Sequence, residues 1–251
     1  MPWDSDALGA GVGARVVVHG TVGSTMDEAA RDPGERPVIH LAERQLAGRG
    51  RHGRSWESMP GNLHATIAWP DPERDLPAST LAAIQLAWAE AIAAEGVPDA
   101  RCKWPNDGYL AGKKWAGALG VGTIGPMGPE LLVGLGANLV AAPPDPVLGA
   151  TALATHWSAW PGFAEAARLL LETAMTVLGE GSAGVFERLS RWSERDLVRP
   201  GERLRIELAE SRHEGRYAGL SPEGHLCLDT GDRVVTFASG EAFRIQPLSH
   251  R

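Results

Sequence analysis

The sequence predicts an α+β protein in which a larger mixed domain is followed by a small all-β domain. Two segments have the length and apolar pattern of long helices, and they lie among short runs rich in β-branched residues. After Trp192 the pattern changes to short alternating strands separated by turn residues. We therefore expect a mixed α+β domain at residues 1–195 and a small β-barrel domain at residues 196–251.

The first elements of the larger domain are three strands and one short helix. Ser24 or Thr25 can cap the helix, because a side-chain oxygen there accepts a bond from a free backbone N–H. Asp27 and Glu28 follow in its first turn, where negative charge is favoured. The strands are predicted at residues 14–20, 37–44 and 62–69, the last of them half-buried.

The clearest helix covers residues 79–96. Ser79 is its candidate cap and Gly96 its end, and one apolar stripe is formed by Leu81, Ile84, Trp88 and Ile92. A second long helix is predicted at residues 162–181.

Three strands are predicted between these helices. The first ends near Pro105 and is followed by a turn at Asn106, Asp107 and Gly108. Residues 113–121 and 130–140 are apolar, short and Gly-spaced, so they are expected to be paired central strands. In the small domain the predicted strands are residues 203–208, 216–220, 225–229, 233–237 and 242–245.

The overall charge limits the kind of partner. Lys and Arg number 24 and Asp and Glu 31, so the net charge is −7, which argues against nucleic acid or an anionic membrane as the main partner. Cys102 and Cys227 are too far apart to suggest a disulfide framework or a zinc site, so we expect buried or half-buried thiols. The N-terminus lacks the features of a signal peptide, and a cytoplasmic location is expected.

One segment is strongly basic, although the chain as a whole is acidic. Residues 48–54, GRGRHGR, hold three arginines and three glycines. Such a segment can be a solvated connection, a nucleic-acid arm, or a loop that closes over an anionic small molecule. The third interpretation is favoured because Arg offers a planar fork for carboxylate or phosphate, Gly provides mobility, and Trp56 supplies an apolar anchor.

Two lysine-containing stretches support this interpretation. KWPND (residues 103–107) and KKWAG (residues 113–117) place lysines and an aspartate at the ends of short strands. If these strand ends meet at one edge, they form a candidate site for phosphate and metal.

Several motifs together resemble the biotin protein ligases. They are GST (23–25), AERQLAGRGRHGRSW (42–56), GNL (61–63), KWPND, GKKWAG (112–117), VGLGAN (133–138), LSRW (189–192) and SGEAFR (239–244). The resemblance covers nearly the whole chain, and GRGRxGRxW with a downstream KWPND is its most specific part. It implies a class II synthetase-like catalytic domain around a central mixed sheet, with an SH3-like C-terminal barrel. Lipoate ligases share the core fold and are the nearest alternative, with lipoate or another small carboxylic acid as the substrate.

The resemblance implies an ATP-dependent ligase that makes biotinyl-5′-AMP and transfers biotin to a lysine of a biotin carboxyl carrier protein. It implies catalytic roles for Arg49, Arg51 and Lys114, of which Lys114 bridges the biotin carboxylate and the α-phosphate. The implied biotin site is Ser24, Thr25, Gln45, Gly48, Arg49, Arg51, Lys114 and Gly117. The implied ATP site is Arg49, Gly50, Arg51, Arg54, Trp56, Lys103, Asn106, Asp107, Lys114 and Asn138. Mg²⁺ accompanies ATP; no metal ligand is fixed, and Asp107 is a candidate contact.

The sequence also departs from the family pattern. Met26 stands where Asn is common, which leaves open a non-catalytic biotin-binding protein as a further alternative. Trp115 is bulkier than the residue usual beside the lysine, so the pocket wall is expected to differ there. Arg244 is a candidate nucleotide contact or a structural residue. No membrane partner is expected from the net charge, and the resemblance further implies a homodimer and no DNA-binding domain before residue 14.

Overall fold

Five helices and two β-sheets make up the described part of the chain. The computed structural model describes residues 11–71, 76–144, 149–208, 210–238 and, for the backbone, 244–247. The helices are α1 Thr25–Arg31, α2 Thr80–Ala94, α3 Phe163–Gly179, α4 Gly181–Leu189 and α5 Trp192–Arg195. The predicted character of the N-terminus and the 239–243 part of the SGEAFR motif lie outside the described residues.

A mixed seven-stranded sheet forms the centre of the larger part. Its strands are β1 Arg15–Val22, β2 Val38–Gln45, β3 Leu63–Pro70, β4 Arg101–Lys103, β5 Asp107–Leu110, β6 Lys113–Gly125 and β7 Gly128–Ala137. Their order is β1-β2-β3-β7-β6-β5-β4, with β1 and β2 parallel and all other neighbours antiparallel. The prediction that β6 and β7 pair inside the sheet is confirmed.

A second, antiparallel sheet of five strands follows. Its strands are β8 Arg203–Glu207, β9 Arg212–Leu220, β10 Leu226–Asp229, β11 Val234–Phe237 and β12 Arg244–Pro247, in the order β11-β10-β9-β8-β12. The predicted α+β fold with a small C-terminal β unit is confirmed, although β9 begins four residues earlier than expected.

Helix α1 begins as the sequence predicts. The Ser24 hydroxyl accepts a bond from the Met26 backbone N–H at 3.4 Å, and Asp27 and Glu28 lie in the first turn. The start of α1 is joined to β2 by Gln45, whose Oε1 accepts a bond from the Thr25 backbone N–H at 2.9 Å.

Strand β3 is more buried than predicted. His64, Thr66 and Ala68, which should face solvent in a half-buried strand, are 1%, 0% and 0% exposed. Helix α1 covers this side, as the 2.8 Å contact between the Thr25 and Thr66 hydroxyls shows. The small residues that blurred the alternation are therefore the signature of a strand covered on both faces.

Helix α2 is buried around most of its circumference, so its burial extends beyond the predicted apolar stripe. Ile84, Trp88 and Ile92 are fully buried, but Leu81 is only partly buried and Leu86, on another face, is fully buried. Ser79 stands at the N-cap position without a side-chain capping bond. Packing against the sheet on one side and α3 and α4 on the other explains why the helix is apolar all round.

The hairpin between β4 and β5 turns earlier than predicted. Lys103 pairs with Asp107, so the turn consists of residues 104–106 and the Asn-Asp-Gly turn prediction is wrong. Asp107 and Gly108 instead lie in β5, and this extended backbone fixes the direction of the Asp107 side chain.

The two sheets share one hydrophobic core. Trp104 Nε1 donates to the Gly224 carbonyl oxygen at 3.0 Å. Asp196 accepts bonds from Trp192 Nε1 at 2.7 Å and from the Tyr217 hydroxyl. Cys102 is buried and Cys227 half-buried, both as free thiols, as predicted. None of the described helices is long and apolar enough to cross a lipid bilayer.

Candidate active site

A cavity of about 370 Å³ collects the predicted site residues on one face of the large sheet. Apart from Gly48, every residue assigned to the biotin or ATP site from the sequence lines it: Ser24, Thr25, Gln45, Arg49, Gly50, Arg51, Arg54, Trp56, Lys103, Asn106, Asp107, Lys114, Gly117 and Asn138. These residues come from the start of α1, the end of β2 and the segment after it, the β4–β5 hairpin, strand β6 and the end of β7. The fold therefore brings together motifs that are more than a hundred residues apart.

One end of the cavity is neutral and polar. Gln45 Oε1 accepts bonds from the Thr25 backbone N–H at 2.9 Å and from the Thr25 hydroxyl at 3.1 Å, and the Ser24 hydroxyl lies 3.5 Å away. Thr66 completes this network through its contact with Thr25. Sequence reasoning missed Thr66 because the strand was expected to expose that side to solvent. The network holds uncharged donors and acceptors at fixed positions, which suits a neutral polar ligand group.

The arginine-glycine segment folds back on itself at the mouth of the cavity. Gly50 N–H donates to the Arg54 carbonyl at 2.7 Å, and Trp56 N–H donates to the Gly48 carbonyl at 2.9 Å. A Cβ atom on Gly48 would lie 2.5 Å from the Trp56 carbonyl oxygen, so this close approach requires glycine. His52, in the 3₁₀ turn at the tip, has a left-handed backbone with φ 56°.

The three arginines of this segment have different partners. Arg49 Nη2 donates to both carboxylate oxygens of Asp27 at the start of α1, with distances of 2.8 Å to Oδ1 and 2.8 Å to Oδ2. Arg51 Nη1 lies 3.4 Å from Asn106 Oδ1. Burial lowers the pKa of Arg51, and the nearby Asp107 carboxylate opposes this shift. Arg54 Nε donates to the Arg51 carbonyl at 3.2 Å. All three guanidinium-bearing residues line the cavity.

Lys114 lines the cavity from strand β6. Its Nζ lies 2.6 Å from Asp107 Oδ1 and 5.8 Å from the centre of the Trp56 ring. A Cβ atom on Gly117 would come within 3.1 Å of the same Nζ, so glycine leaves space for the ammonium group. The neighbouring Lys113 is exposed.

A second lysine approaches from the β4–β5 hairpin. Burial lowers the pKa of Lys103, while Asp107 raises it and Lys114 and Arg54 lower it. Asn106 is held nearby because its Nδ2 donates to the Ala118 carbonyl at 2.5 Å. Tyr109 also lines the cavity, and its ring centre lies 5.8 Å from Lys103 Nζ. Sequence reasoning did not identify Tyr109 as a site residue.

Trp56 and Asn138 line the part of the cavity next to β7. The Trp56 ring lies against Gly136, where a Cβ atom would be 2.6 Å from Trp56 Cε2. Asn138 Oδ1 accepts a bond from Asn62 Nδ2 at 3.2 Å. Asn62 also accepts from the backbone N–H groups of residues 139–141, at 3.0 to 3.2 Å, so it organises the chain after β7. In the sequence, Asn62 was noted only as part of the GNL motif.

Two departures from the family pattern have structural outcomes. Trp115 is fully buried beside Trp88, with ring centres 5.9 Å apart, so the prediction that it alters the pocket wall is wrong. Its side chain points into the core because it alternates with Lys114 along β6. Met26 does line the cavity and packs against Gly134. The Arg244 side chain lies outside the described residues.

Comparison with known proteins agrees with this arrangement. Residues 21–138 match the model of the biotin/lipoate A/B protein ligase family. The chain is also 30% identical, over 255 residues, to a Mycobacterium tuberculosis protein named biotin–[acetyl-CoA-carboxylase] ligase, with 95% of this chain and 92% of that protein covered. The chain belongs to the biotin/lipoate A/B protein ligase family. The match begins just before α1 and ends at Asn138, so it contains most of the cavity.

Solved structures show the same fold in other members of the biotin/lipoate ligase family. The Aquifex aeolicus biotin protein ligase in complex with biotin and ATP superposes with a TM-score of 0.80 at 24% identity, covering 93% of this chain and 99% of that one. The Leishmania major biotin protein ligase in complex with biotinyl-5-AMP gives a TM-score of 0.58 at 25% identity, covering 89% and 98%. The first likeness extends over both sheets, since it covers nearly the whole of each chain.

Proposed function

We propose that this chain is a biotin protein ligase that activates biotin with ATP and transfers it to a lysine of a biotin carboxyl carrier protein. The main support is the position of Lys114, whose ammonium group lies inside the cavity between Asp107 and the Trp56 ring. Relatives of this chain carry the name of this activity or contain biotin and ATP in their structures.

In the first proposed step the biotin carboxylate attacks the α-phosphorus of ATP. A bond forms between a carboxylate oxygen and phosphorus, and pyrophosphate leaves with the electrons of the bond that breaks. Because both reactants are anions, they repel each other unless positive charge surrounds them. Lys114, Lys103 and the arginines at 49, 51 and 54 line one cavity and supply that charge.

In the second step the ε-amine of the carrier lysine attacks the acyl carbon of biotinyl-5′-AMP. An amide bond forms, the acyl–oxygen bond to AMP breaks, and the amine loses a proton. The Gly48 and Gly50 positions give the loop the freedom to open for ATP and close over the adenylate. Closure would keep water from hydrolysing the mixed anhydride before the carrier arrives.

The neutral end of the cavity is proposed to take the biotin head group. Ser24, Thr25 and Gln45 are joined by bonds of 2.9 to 3.5 Å and present polar atoms without charge, which suits a ureido group. Met26 offers an apolar wall beside them. On this arrangement the carboxylate of biotin would point from the neutral end towards Lys114.

Mg²⁺ is proposed to enter with ATP. The described residues contain no group of three or more His, Cys, Asp or Glu side chains arranged to hold a metal. Asp107 Oδ1 is engaged by Lys114, and the Asn106 amide lies beside Arg51. This donor set fits an ion held largely by phosphate oxygens and water, with Asp107 as one protein contact.

We also propose residues 1–195 and 196–251 as the catalytic and SH3-like domains. The boundary falls at Asp196, whose carboxylate bonds to Trp192 on one side and to Tyr217 on the other. Catalysis by a homodimer in the cytoplasm, without DNA or a membrane as partner, completes the proposal.

Mass spectrometry of a carrier domain tests the function directly. The carrier is incubated with the protein, ATP, Mg²⁺ and either biotin or lipoate. We expect a mass increase equal to one biotinyl group on the acceptor lysine, and no modification with lipoate. Lipoylation without biotinylation would reassign the substrate, and tight biotin binding with no labelling at any enzyme concentration would indicate a binding protein.

A further inference from the structure

Two buried polar atoms beside the cavity have complementary hydrogen-bonding character. Trp56 Nε1 and His64 Nε2 are both buried, and neither has a hydrogen-bond partner. The indole N–H can only donate. A buried polar atom without a hydrogen-bond partner is energetically unfavourable, so we expect both atoms to have partners in a working state of the protein.

The tautomer of His64 makes its Nε2 an acceptor. Its Nδ1 lies 3.3 Å from the carbonyl oxygen of Ala42, which can only accept, so the proton is on Nδ1. Burial lowers the pKa of His64 to about 4, which agrees with a neutral ring at pH 7.

Sheet geometry places the two side chains next to each other. His64 pairs directly with Gly136 across β3 and β7, so both residues face the same side of the sheet. The Trp56 ring occupies the space above Gly136, with Cε2 only 2.6 Å from where a Cβ atom would be. Directly opposed side chains start about 5 Å apart, so the His64 side chain leaves the sheet beside the position that the Trp56 ring covers.

We propose that His64 is a positioning residue, which accepts a hydrogen bond from Trp56 Nε1, directly or through one water, and so fixes the end of the arginine-glycine loop. Trp56 ends this loop, and its backbone is already bonded to Gly48. Its ring in turn lies 5.8 Å from Lys114 Nζ. A link to His64 would therefore hold the indole at the orientation in which it flanks the lysine.

The hydrogen bond between Trp56 and His64 can be measured in the free protein, without substrates. Only its consequence for catalysis rests on the proposed function. The test uses the full chain labelled with ¹⁵N at the indole nitrogens, with the Trp56 N–H signal assigned by its absence in Trp56→Phe. Hydrogen exchange of this N–H is compared in the wild type, His64→Leu and His64→Gln. Leu removes the acceptor, whereas Gln keeps an acceptor oxygen.

We expect exchange of the Trp56 N–H to be about tenfold faster in His64→Leu than in the wild type, and close to wild type in His64→Gln. The other indole signals should keep their exchange rates, which separates this effect from general loosening. Equal Trp56 exchange rates in the wild type and His64→Leu would overturn the proposal.

A second measurement covers the case in which His64→Leu does not fold. The His64 ring nitrogens are observed by ¹⁵N NMR in the wild type and in Trp56→Phe, which alters the side chain at the loop end. An acceptor Nε2 that loses its donor must change its chemical shift while Nδ1 stays bonded to Ala42. An unchanged Nε2 shift would refute the link, whatever the protein's activity towards biotin.

Discussion

Lys114 Nζ and Asp107 Oδ1 lie 2.6 Å apart across strands β6 and β5. A register shift between Gly108 and Tyr109 allows this contact, because Asp107 pairs with Gly117 while Tyr109 pairs with Lys114. The ion pair occupies the place where the proposed carboxylate and phosphate groups would meet. An incoming anion can replace Asp107 as the partner of the ammonium group, so the lysine is oriented before substrates bind.

Lys114→Ala should abolish adenylate formation while leaving the fold intact. The side chain is about 30% exposed and its removal creates no large core cavity, so the loss is electrostatic. We expect the rate of biotin-dependent exchange of pyrophosphate into ATP to fall by about 100-fold or more. Lys113→Ala is the matched control, since it removes an adjacent, exposed lysine and should retain activity. Normal adenylate formation in Lys114→Ala would contradict the proposed role.

Gly136→Ala should displace the Trp56 ring. A Cβ atom there would lie 2.6 Å from Trp56 Cε2, and the rigid indole cannot yield by rotating a single terminal bond. We expect the pyrophosphate-exchange rate to fall on the order of 10- to 100-fold, because small displacements at a site are costly. In Gly122→Ala, on the neighbouring strand β6, the new Cβ atom meets nothing within 4 Å, so this control should behave like the wild type. If both variants are equally active, the ring position does not matter for the reaction.

Much of the site could be predicted because local chemistry and motif order agree. Ser24 caps α1 as its hydroxyl predicts, and the following acidic residues support the helix start. The lysines of β4 and β6 meet at one cavity because β5 connects them as adjacent antiparallel strands. In each case the information lies within a few residues of the chain.

Other features depend on contacts that no local pattern encodes. The covered outer face of β3 depends on where α1 folds, and Thr66 gained its place in the site only through that packing. The turn between β4 and β5 follows from the pairing of Lys103 with Asp107, which overrides the turn preference of Asn-Asp-Gly. The Arg49 contact with Asp27 joins residues that are 22 positions apart, and both were assigned other tasks from the sequence.

Asp27→Asn should release Arg49 and favour ligand binding. In this structure the Arg49 guanidinium is held by both oxygens of Asp27, so an anionic ligand must compete with that carboxylate. The pair is partly exposed and contributes little to stability, about 0.2–1 kcal/mol. We expect the KM for biotin or ATP to fall by about two- to fivefold, with an unchanged melting temperature.

The control for this change is Glu28→Gln. Glu28 lies in the same helical turn, but its ion-pair partner is Arg31, at 3.5 Å, away from the loop. Both variants remove one negative charge, so an effect of net charge alone would lower the KM equally in Asp27→Asn and Glu28→Gln. A higher KM in Asp27→Asn would show that the carboxylate assists binding instead of competing with it.

Asp196 should make stability depend on pH in a direction unusual for a carboxylate. Burial raises its pKa to about 6, and bonds from Tyr217, the Val198 backbone and Trp192 only partly oppose this. An acid with a higher pKa when folded binds its proton more tightly in the native state, so stability falls as pH rises through the folded value. We therefore expect this group to favour the folded state below about pH 4 and to lose that contribution between about pH 4 and pH 6.

Urea unfolding of the wild type and Asp196→Asn across this range measures the effect. The substitution also weakens bonds to Tyr217 and Trp192, which lowers stability at every pH, so the slope with pH is the quantity to compare. We expect the wild type to lose stability relative to Asp196→Asn as the pH rises from about 4 to about 7. Asp99→Asn, at an exposed position, is the control and should run parallel to the wild type. Parallel curves for Asp196→Asn as well would mean that the carboxylate has the same pKa in the folded and the unfolded protein, with its three donors balancing burial.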